Sequence, residues 1–365
     1  MRLTRQEIGL GERSYAVVVA PDFQGLGAEL RQVQAGERCV VVRNPTVQGL
    51  YGAAVRKELE GAGWKVEEVE IPDGEAHKNL QSWATLVDAL LSLGVDRKTP
   101  VLALGGGVTG DLVGFAAATV MRGLPFVQVP TTLLAMVDAS VGGKTGVNTD
   151  AGKNLVGSFY QPVLVWAALH TLQTLEEVDL RSGLGEVLKH ALIEGEVALS
   201  SCEKMAPALL RRDPGALSAV IEDSIRTKAR LVEADERESG PRAVLNLGHT
   251  LGHAIEKVGG YGRMGHGEAV GLGILAVARF GWSRAWLNDR ALPERIHALL
   301  GRLGLPQKVP FEVNEEALAR AIGFDKKRAR GMLNLVVPQA PGEVVLRKLS
   351  MEEVPALVDA LKRLG

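Results

Sequence analysis

Pro100-Val-Leu-Ala-Leu-Gly-Gly-Gly-Val-Thr-Gly-Asp111 decides how the first half of the chain folds. Val101 to Leu104 is wholly apolar, the pattern of a strand buried on both faces. The glycines then end the strand and open a helix. Backbone N–H groups at a helix start suit an anion such as a pyrophosphate. A tight turn between buried elements would read the same way. Position tips the balance, because ligands gather at the carboxyl ends of strands in open α/β sheets.

Outward from this stretch, β-branched runs alternate with helical ones. Tyr15–Ala20, Arg38–Arg43, Trp64–Ile71, Pro100–Leu104, Phe126–Val129 and Val163–Trp166 read as strands. Asn44-Pro45 makes a turn, and Thr46 is expected to cap a helix running to about Gly61. Asn79–Leu93 is amphipathic. The alternation predicts a Rossmann-like α/β domain, with a mostly parallel sheet and helices on both sides. Val101–Met121 carries one charge, Asp111, yet five glycines interrupt it. It therefore reads as strand, loop and buried helix, not as a membrane span.

Near Leu172 the character changes. Gly183–Glu194, Glu196–Arg211, Ala216–Glu236, Thr250–Val258, Glu268–Trp286 and Pro293–Leu303 read as helices, and only Leu333–Val337 looks extended. A boundary near residue 170 predicts an α/β domain (1–170) followed by an all-α domain (171–365). A length of 365 residues also favours two cores over one. The net charge is −1 and basic residues form no long runs, which argues against nucleic-acid or membrane-surface binding. Cys39 and Cys202 lack metal-type spacing. They imply neither a disulfide framework nor a cysteine zinc site, so a reducing, cytoplasmic setting is expected.

The chemistry concentrates in the second half. In Arg242-Ala-Val-Leu-Asn-Leu-Gly-His-Thr-Leu-Gly-His-Ala-Ile-Glu256, His249 and His253 stand four apart, hence on one helix face. His266-Gly-Glu268 follows. Gly248 and Gly252 cost helix stability, roughly 1 kcal/mol each, and suggest a close backbone approach. One such histidine would be an ordinary surface or core group. Three within eighteen residues favour a metal site. Glu186, flanked by Gly183 and Gly185, is the candidate partner, since a glutamate with two histidines leaves a coordination position open. Glu186 and Lys189 would equally make a plain ion pair, three apart on one helix face.

Other polar groups cluster in the first half. Asp73 to Lys78 follows a strand. Thr131-Thr132 to Asp138 and Gly142-Gly-Lys-Thr-Gly146 precede Lys153-Asn154. Lys144, Lys153, Lys228, Arg242 and Asp325-Lys-Lys327 supply cations for carboxylate or phosphate. Each lysine taken singly is as readily a solvated loop group. Together these groups point to metal-assisted hydride chemistry on a polyhydroxylated acid phosphate.

These motifs resemble the 3-dehydroquinate synthase family, within the sugar phosphate cyclases. The likeness covers almost the whole chain. It begins at Leu10-Gly-Glu-Arg-Ser-Tyr15 and includes Pro72-Asp-Gly-Glu75, Gly105–Leu112, Gln128–Asp138, Val141–Gly146, Gly185-Glu-Val-Leu-Lys189, Arg242–Glu256, His266-Gly-Glu268 and Asp325–Lys327. Two departures stand out. Gly185 replaces the usual alanine, and His190 follows the motif lysine.

The resemblance implies a dehydroquinate synthase-like fold, a homodimer, NAD and a divalent metal, zinc with cobalt as the alternative. It places the metal on Glu186, His249 and His266, and not on the pair His249 and His253. It assigns NAD to Asp73, Gly74, Glu75, Ala76, His77, Lys78, Gly107, Val108, Thr109, Gly110, Asp111, Thr131, Thr132, Asp138, Lys144, Lys153, Thr171, Leu172, Gln173 and Thr174. Lys144, Lys189, Lys228, Arg242, Asn246 and His253 would be catalytic. Arg122, Asn154 and Lys327 would bind substrate, with Lys326 as the alternative to Lys327. The implied reaction converts 3-deoxy-D-arabino-heptulosonate 7-phosphate to 3-dehydroquinate and phosphate, in the shikimate pathway. It proceeds by transient oxidation, β-elimination, reduction and aldol closure. Polyol dehydrogenases are the nearest rival. They release NADH, and a simple polyol has no carboxylate to occupy Lys228 and Arg242.

Overall fold

The computed structural model describes residues 3–260, 262–323 and 332–364. The chain divides into two compact units, Met1–Leu175 and Glu176–Gly365.

The first unit runs β1 (Thr4–Ile8), β2 (Tyr15–Ala20), α1 (Leu26–Val33), β3 (Arg38–Arg43), α2 (Pro45–Val47), α3 (Ala53–Gly61), β4 (Lys65–Glu70), α4 (Leu80–Ser92), β5 (Val101–Gly105), α5 (Gly107–Thr119), β6 (Phe126–Pro130), β7 (Lys144–Thr149), β8 (Gly152–Phe159) and β9 (Leu164–Ala168). Seven strands form one sheet in the order β1-β2-β9-β6-β5-β3-β4. All pair in parallel except β1, which runs antiparallel to β2.

Alternation along β3 shows why this sheet is covered on both faces. Cys39 and Val41 join one core with Leu26 and Leu30 of α1 and Val55 and Leu59 of α3. Val40 and Val42 join the other with Leu86 and Leu90 of α4 and Leu112 and Val113 of α5. Strand residues point to opposite faces in turn, so an unbroken apolar run needs helices on both sides. Cys39 lies in the first core, where burial pushes its thiol up to about 12.

In the first unit the sequence expectation missed three strands. β1 alternates exposed and covered residues at the sheet edge. β7 and β8 form a separate antiparallel hairpin, rich in glycine, lysine and asparagine, that reads as loop. Its glycines let the two backbones meet: a Cβ on Gly157 would stand 2.0 Å from the Thr145 carbonyl oxygen. The cap at the end of β3 is a correction. Asn44, not Thr46, accepts from the Val47 amide at 2.8 Å. Thr46 instead donates to Asp73 Oδ2 at 2.8 Å.

The second unit runs α6 (Glu177–Glu194), α7 (Glu196–Leu210), α8 (Pro214–Ala234), α9 (His249–Gly259), α10 (His266–Ser283), α11 (Leu292–Arg302), α12 (Glu315–Gly323), β10 (Met332–Ala340), β11 (Glu343–Ser350) and α13 (Val354–Lys362). It is helical with one antiparallel hairpin, β10–β11, so the all-α expectation gains a strand pair. Helix α6 starts at Glu177, ahead of the expected Gly183. Glu177 and Asp179 occupy its first turn, where negative charge is favoured. Helix α10 is the hub, packed against α6, α9, α11, α13 and β10. Among the described residues, no helix is long and apolar enough to cross a membrane.

Candidate metal centre and nucleotide site

Glycines bring the second unit's polar side chains together. A Cβ on Gly185 of α6 would stand 2.0 Å from the Gly267 carbonyl oxygen of α10, so these helices touch backbone to backbone. Gly248, with φ +81°, does the same against Val270, and Gly273 against the Gly248 carbonyl. The close approach expected around Gly185, Gly248 and Gly252 is therefore present, and α10 provides it. An alanine at 185 would not fit this spacing without moving a helix.

These contacts set Glu186, His249 and His266 side by side. Glu186 Oε1 lies 3.5 Å from His249 Nε2 and 3.6 Å from His266 Nε2. Donors bonded to zinc at about 2.0–2.1 Å stand roughly 3.3 Å apart at tetrahedral angles, so this spacing suits one shared ion. The opposite ring nitrogens face acceptors: His249 Nδ1 the Leu247 carbonyl at 3.2 Å, and His266 Nδ1 Glu256 Oε2 at 3.0 Å. Glu186 is fully buried; Lys189, also buried, forms an ion pair with its Oε2, while its Oε1 accepts no hydrogen bond among the described residues. A buried carboxylate needs a compensating cation. Lys189 supplies one at Oε2, and a metal ion shared with the two imidazoles would meet Oε1, the oxygen that faces them.

His249, His253 and His266 also have donor atoms within 4.8 Å of one another. Two ligand sets thus compete. Glu186 is the stronger third donor, since its charge is buried and already faces both Nε2 atoms. His253 is exposed.

Lys189, Lys228 and Arg242 sit on α6, α8 and the 3₁₀ turn Pro241–Asn246, three elements in mutual contact. Their exposures are 1%, 6% and 1%. Burying cations is unfavourable unless anions or acceptors meet them. Arg242 donates from Nη1 to the Glu236 carbonyl, and Asn246 donates from Nδ2 to Glu238 Oε1. The loop before them is gathered on Asp235. Its carboxylate accepts from the amides of Ser239 at 3.0 Å, Gly240 at 2.6 Å and Arg242 at 3.3 Å. These backbone bonds, the Ser239 amide first, hold Asp235 below the usual carboxylate range.

In the first unit, the connection reverses direction between β3 and β5, and ligands collect at such a switch point. Gly105, Gly107 and Gly110 fall at Gly-x-Gly-x-x-Gly spacing between β5 and α5, the context that motif requires. Helix α5 begins without a side-chain cap, so its first amides suit a pyrophosphate. A Cβ on Gly106 would stand 3.0 Å from Thr132, and one on Gly107 3.3 Å from Ala139. The Thr131 amide donates to the Gly105 carbonyl at 3.0 Å.

A polar chain continues the cradle. Lys78 forms an ion pair with Asp111 and donates to Asn154 Oδ1 at 2.7 Å. The Asn154 amide donates to Asn148, and Asn148 to Glu75 at 2.6 Å. Asp73 is held by Asn44 and Thr46 at the end of β3. The loops carrying Asp73 to Lys78, Gly107 to Asp111, Thr131-Thr132 and Asn154 thus meet.

The remaining expected residues are more scattered. Gly74 has φ +97°, and Ala76 and His77 lie in an exposed 3₁₀ turn. Asp138 lies in the turn Ala135–Ala139, Lys144 is exposed at the start of β7, and Lys153 is half-buried in β8. Thr171 and Leu172 are buried, while Gln173 and Thr174 are exposed, and Tyr51 donates to the Thr171 carbonyl at 3.1 Å. Arg122 is exposed beyond the far end of α5, about 20 Å from Gly107 at 1.5 Å per helical residue. It is not brought to the cradle. Lys326 and Lys327 lie outside the described residues.

Residues 68–182 match the model of the 3-dehydroquinate synthase N-terminal domain, and residues 183–328 that of the C-terminal domain. The chain is 43% identical over 343 residues to the 3-dehydroquinate synthase of Desulforamulus reducens, covering 94% of this chain and 95% of that protein. It is 42% identical over 366 residues to that of Syntrophotalea carbinolica, covering 100% of both.

The chain belongs to the 3-dehydroquinate synthase family. Its fold is also that of a solved 2-epi-5-epi-valiolone synthase from Streptomyces hygroscopicus, described with NAD⁺ and Zn²⁺ bound. That likeness has a TM-score of 0.87 at 30% identity, covering 97% of this chain and 98% of that one.

Within this family framework, sequence reasoning passed over two side chains. Glu256 closes the histidine stretch, seven residues after His249, and therefore lies on the same helix face. Asp235 sits in a polar loop with no local signal beyond its Asp-Glu-Arg-Glu surroundings.

Proposed function

We propose that this chain is a 3-dehydroquinate synthase, a carbon–oxygen lyase that turns 3-deoxy-D-arabino-heptulosonate 7-phosphate into 3-dehydroquinate and phosphate. Family membership over nearly the whole chain supports this reading. So does the approach of Glu186 Oε1 to two imidazole Nε2 atoms at 3.5 and 3.6 Å.

Glu186, His249 and His266 would hold a divalent metal, which would supply Lewis-acid polarisation of a substrate oxygen. We take it to be zinc, with cobalt as the alternative that the same nitrogen and oxygen donors accept. Asp73–Lys78, Gly107–Asp111, Thr131-Thr132, Asp138, Lys153 and Thr171–Thr174 would hold NAD, which would supply transient hydride acceptance and return.

The chain's own groups bind and orient. Lys189, Lys228 and Arg242 hold the substrate's anionic groups, and Asn246 hydrogen-bonds its hydroxyls. Lys144, Arg122, Asn154 and Lys327 add substrate contacts, Lys144 also touching the nucleotide. A ring nitrogen of His253 takes up and returns a proton, a task suited to an exposed imidazole. We further propose a cytoplasmic homodimer and two domains, 1–170 for NAD and 171–365 for metal and substrate.

The test is to incubate the protein with the heptulosonate phosphate and catalytic NAD⁺. Release of phosphate together with 3-dehydroquinate is expected. Phosphate release without that carbocycle would overturn the reading.

A further inference from the structure

We infer that Glu256 is a positioning residue: its carboxylate fixes His266 as the Nδ1–H tautomer, so that Nε2 keeps its lone pair for the metal. This rests on the metal reading proposed above. His266 Nδ1 lies 3.0 Å from Glu256 Oε2, while Nε2 of the same ring faces Glu186 Oε1 at 3.6 Å. The two nitrogens of an imidazole point apart. Glu256 and Nε2 therefore cannot ligate one ion, which excludes Glu256 as a fourth ligand of this centre.

The tautomer follows from donor chemistry. An ionised carboxylate only accepts hydrogen bonds, so the proton of the neutral ring belongs on Nδ1. Nε2 is then an acceptor, the form a metal requires. The pairing is built into the packing. Glu256 lies on α9, two turns beyond His249 on the same face, and is 6% exposed. Gly252 and Gly273 let α9 and α10 meet at close range, which brings Glu256 to the first residue of α10.

His249 is oriented differently, by the neutral Leu247 carbonyl at 3.2 Å. The two histidine ligands thus have unlike supports. A carboxylate acceptor raises the basicity of its imidazole more than a carbonyl does, so His266 gains the greater ligand strength from its partner. Glu256 does not touch the reacting atoms in this arrangement, and acts through His266.

The experiment combines a zinc titration against a chromophoric chelator with ¹⁵N NMR of histidine-labelled, metal-free protein. His266 is assigned from the His266→Gln variant. Wild type should show His266 as Nδ1–H and bind one zinc per chain. Glu256→Ala should lose that tautomer preference and bind zinc roughly 10- to 100-fold more weakly, the range for loss of such a partner. Glu256→Gln keeps the shape and guards against a folding defect, and Glu256→Asp should restore part of the affinity. An Nε2–H tautomer in wild type overturns the inference. So does unchanged zinc affinity in both the Ala and Gln variants. Failure of wild type itself to bind zinc would instead sink the metal reading, and the tautomer would still be read from the metal-free spectra.

Discussion

Gly267 packs onto Ser182 so closely that a Cβ built on it would stand 1.7 Å from the Ser182 carbonyl oxygen. The Gly267 amide also donates to Ser182 Oγ at 3.1 Å. This contact locks α6 to the start of α10, one residue from His266 and four from Glu186. The candidate metal donors are therefore placed by backbone contact, beside the ion pair at 3.1 Å that Arg181 of α6 makes with Glu268 of α10.

Gly267→Ala should accordingly damage both stability and the centre. Backbone atoms cannot yield as a flexible side chain does, so the helices must part. Overpacking of this kind costs about 1–3 kcal/mol or more. Denaturant melts should show the loss, and zinc titration should show weaker binding. Gly61→Ala is the control, since a Cβ there meets nothing within 4 Å. Equal stability and zinc affinity in the two variants would refute this account of the packing.

The two candidate ligand sets differ in one member each, which makes them separable. Glu186→Ala, His249→Ala and His266→Ala should each abolish stoichiometric zinc and turnover, while His253→Ala should retain the metal. The first unit should stay folded throughout, as judged by NAD binding. Zinc content per chain decides the matter. If Glu186→Ala kept its zinc and His253→Ala lost it, the three-histidine set would be correct.

Much of this was legible in the sequence, for definable reasons. The apolar run Val101–Leu104 and the β-branched runs at 15–20 and 38–43 announce buried parallel strands, because both faces of each are covered. The hairpin β7–β8 was not legible, since its pairing rests on glycines that let backbones meet and not on a hydrophobic period. Histidine spacing alone suggested His249 with His253. It said nothing of Glu186, some sixty residues earlier, which only its flanking glycines Gly183 and Gly185 marked as the partner. The resemblance supplied the set that the geometry favours.

Asp235 offers a pH-dependent prediction. Its carboxyl is held below the usual range by the Ser239, Gly240 and Arg242 amides. A depressed folded-state value means that the contribution is present above the usual carboxylate range. It is lost as pH falls through the folded value. The loop carrying Arg242 should then loosen in acid. At neutral pH, Asp235→Ala should mimic this by raising KM and lowering kcat/KM, by up to about a hundredfold if the guanidinium shifts by an ångström. NAD affinity should be unchanged. A variant with wild-type KM would show that Arg242 is held in place without Asp235.

The fate of the cofactor separates a cyclase from a dehydrogenase, the nearest alternative in chemistry. A dehydrogenase consumes one NAD⁺ per product and releases NADH. A cyclase of this family must return the hydride to its substrate before the next turnover. The first unit would keep the cofactor through the uncapped start of α5 at Gly107 and the chain Asp111–Lys78–Asn154–Asn148–Glu75 beside it. Phosphate release should therefore far exceed the NAD⁺ supplied, with no net rise in NADH absorbance. Arg242→Ala and His253→Ala should slow that release while leaving NAD affinity near wild type, since both residues belong to the substrate set proposed for the second unit. Lys78→Ala should do the reverse. It removes a buried cation from Asp111 and so should weaken NAD binding and oblige the enzyme to draw on added cofactor. Accumulation of NADH mole for mole with product would mean that the chain is a dehydrogenase.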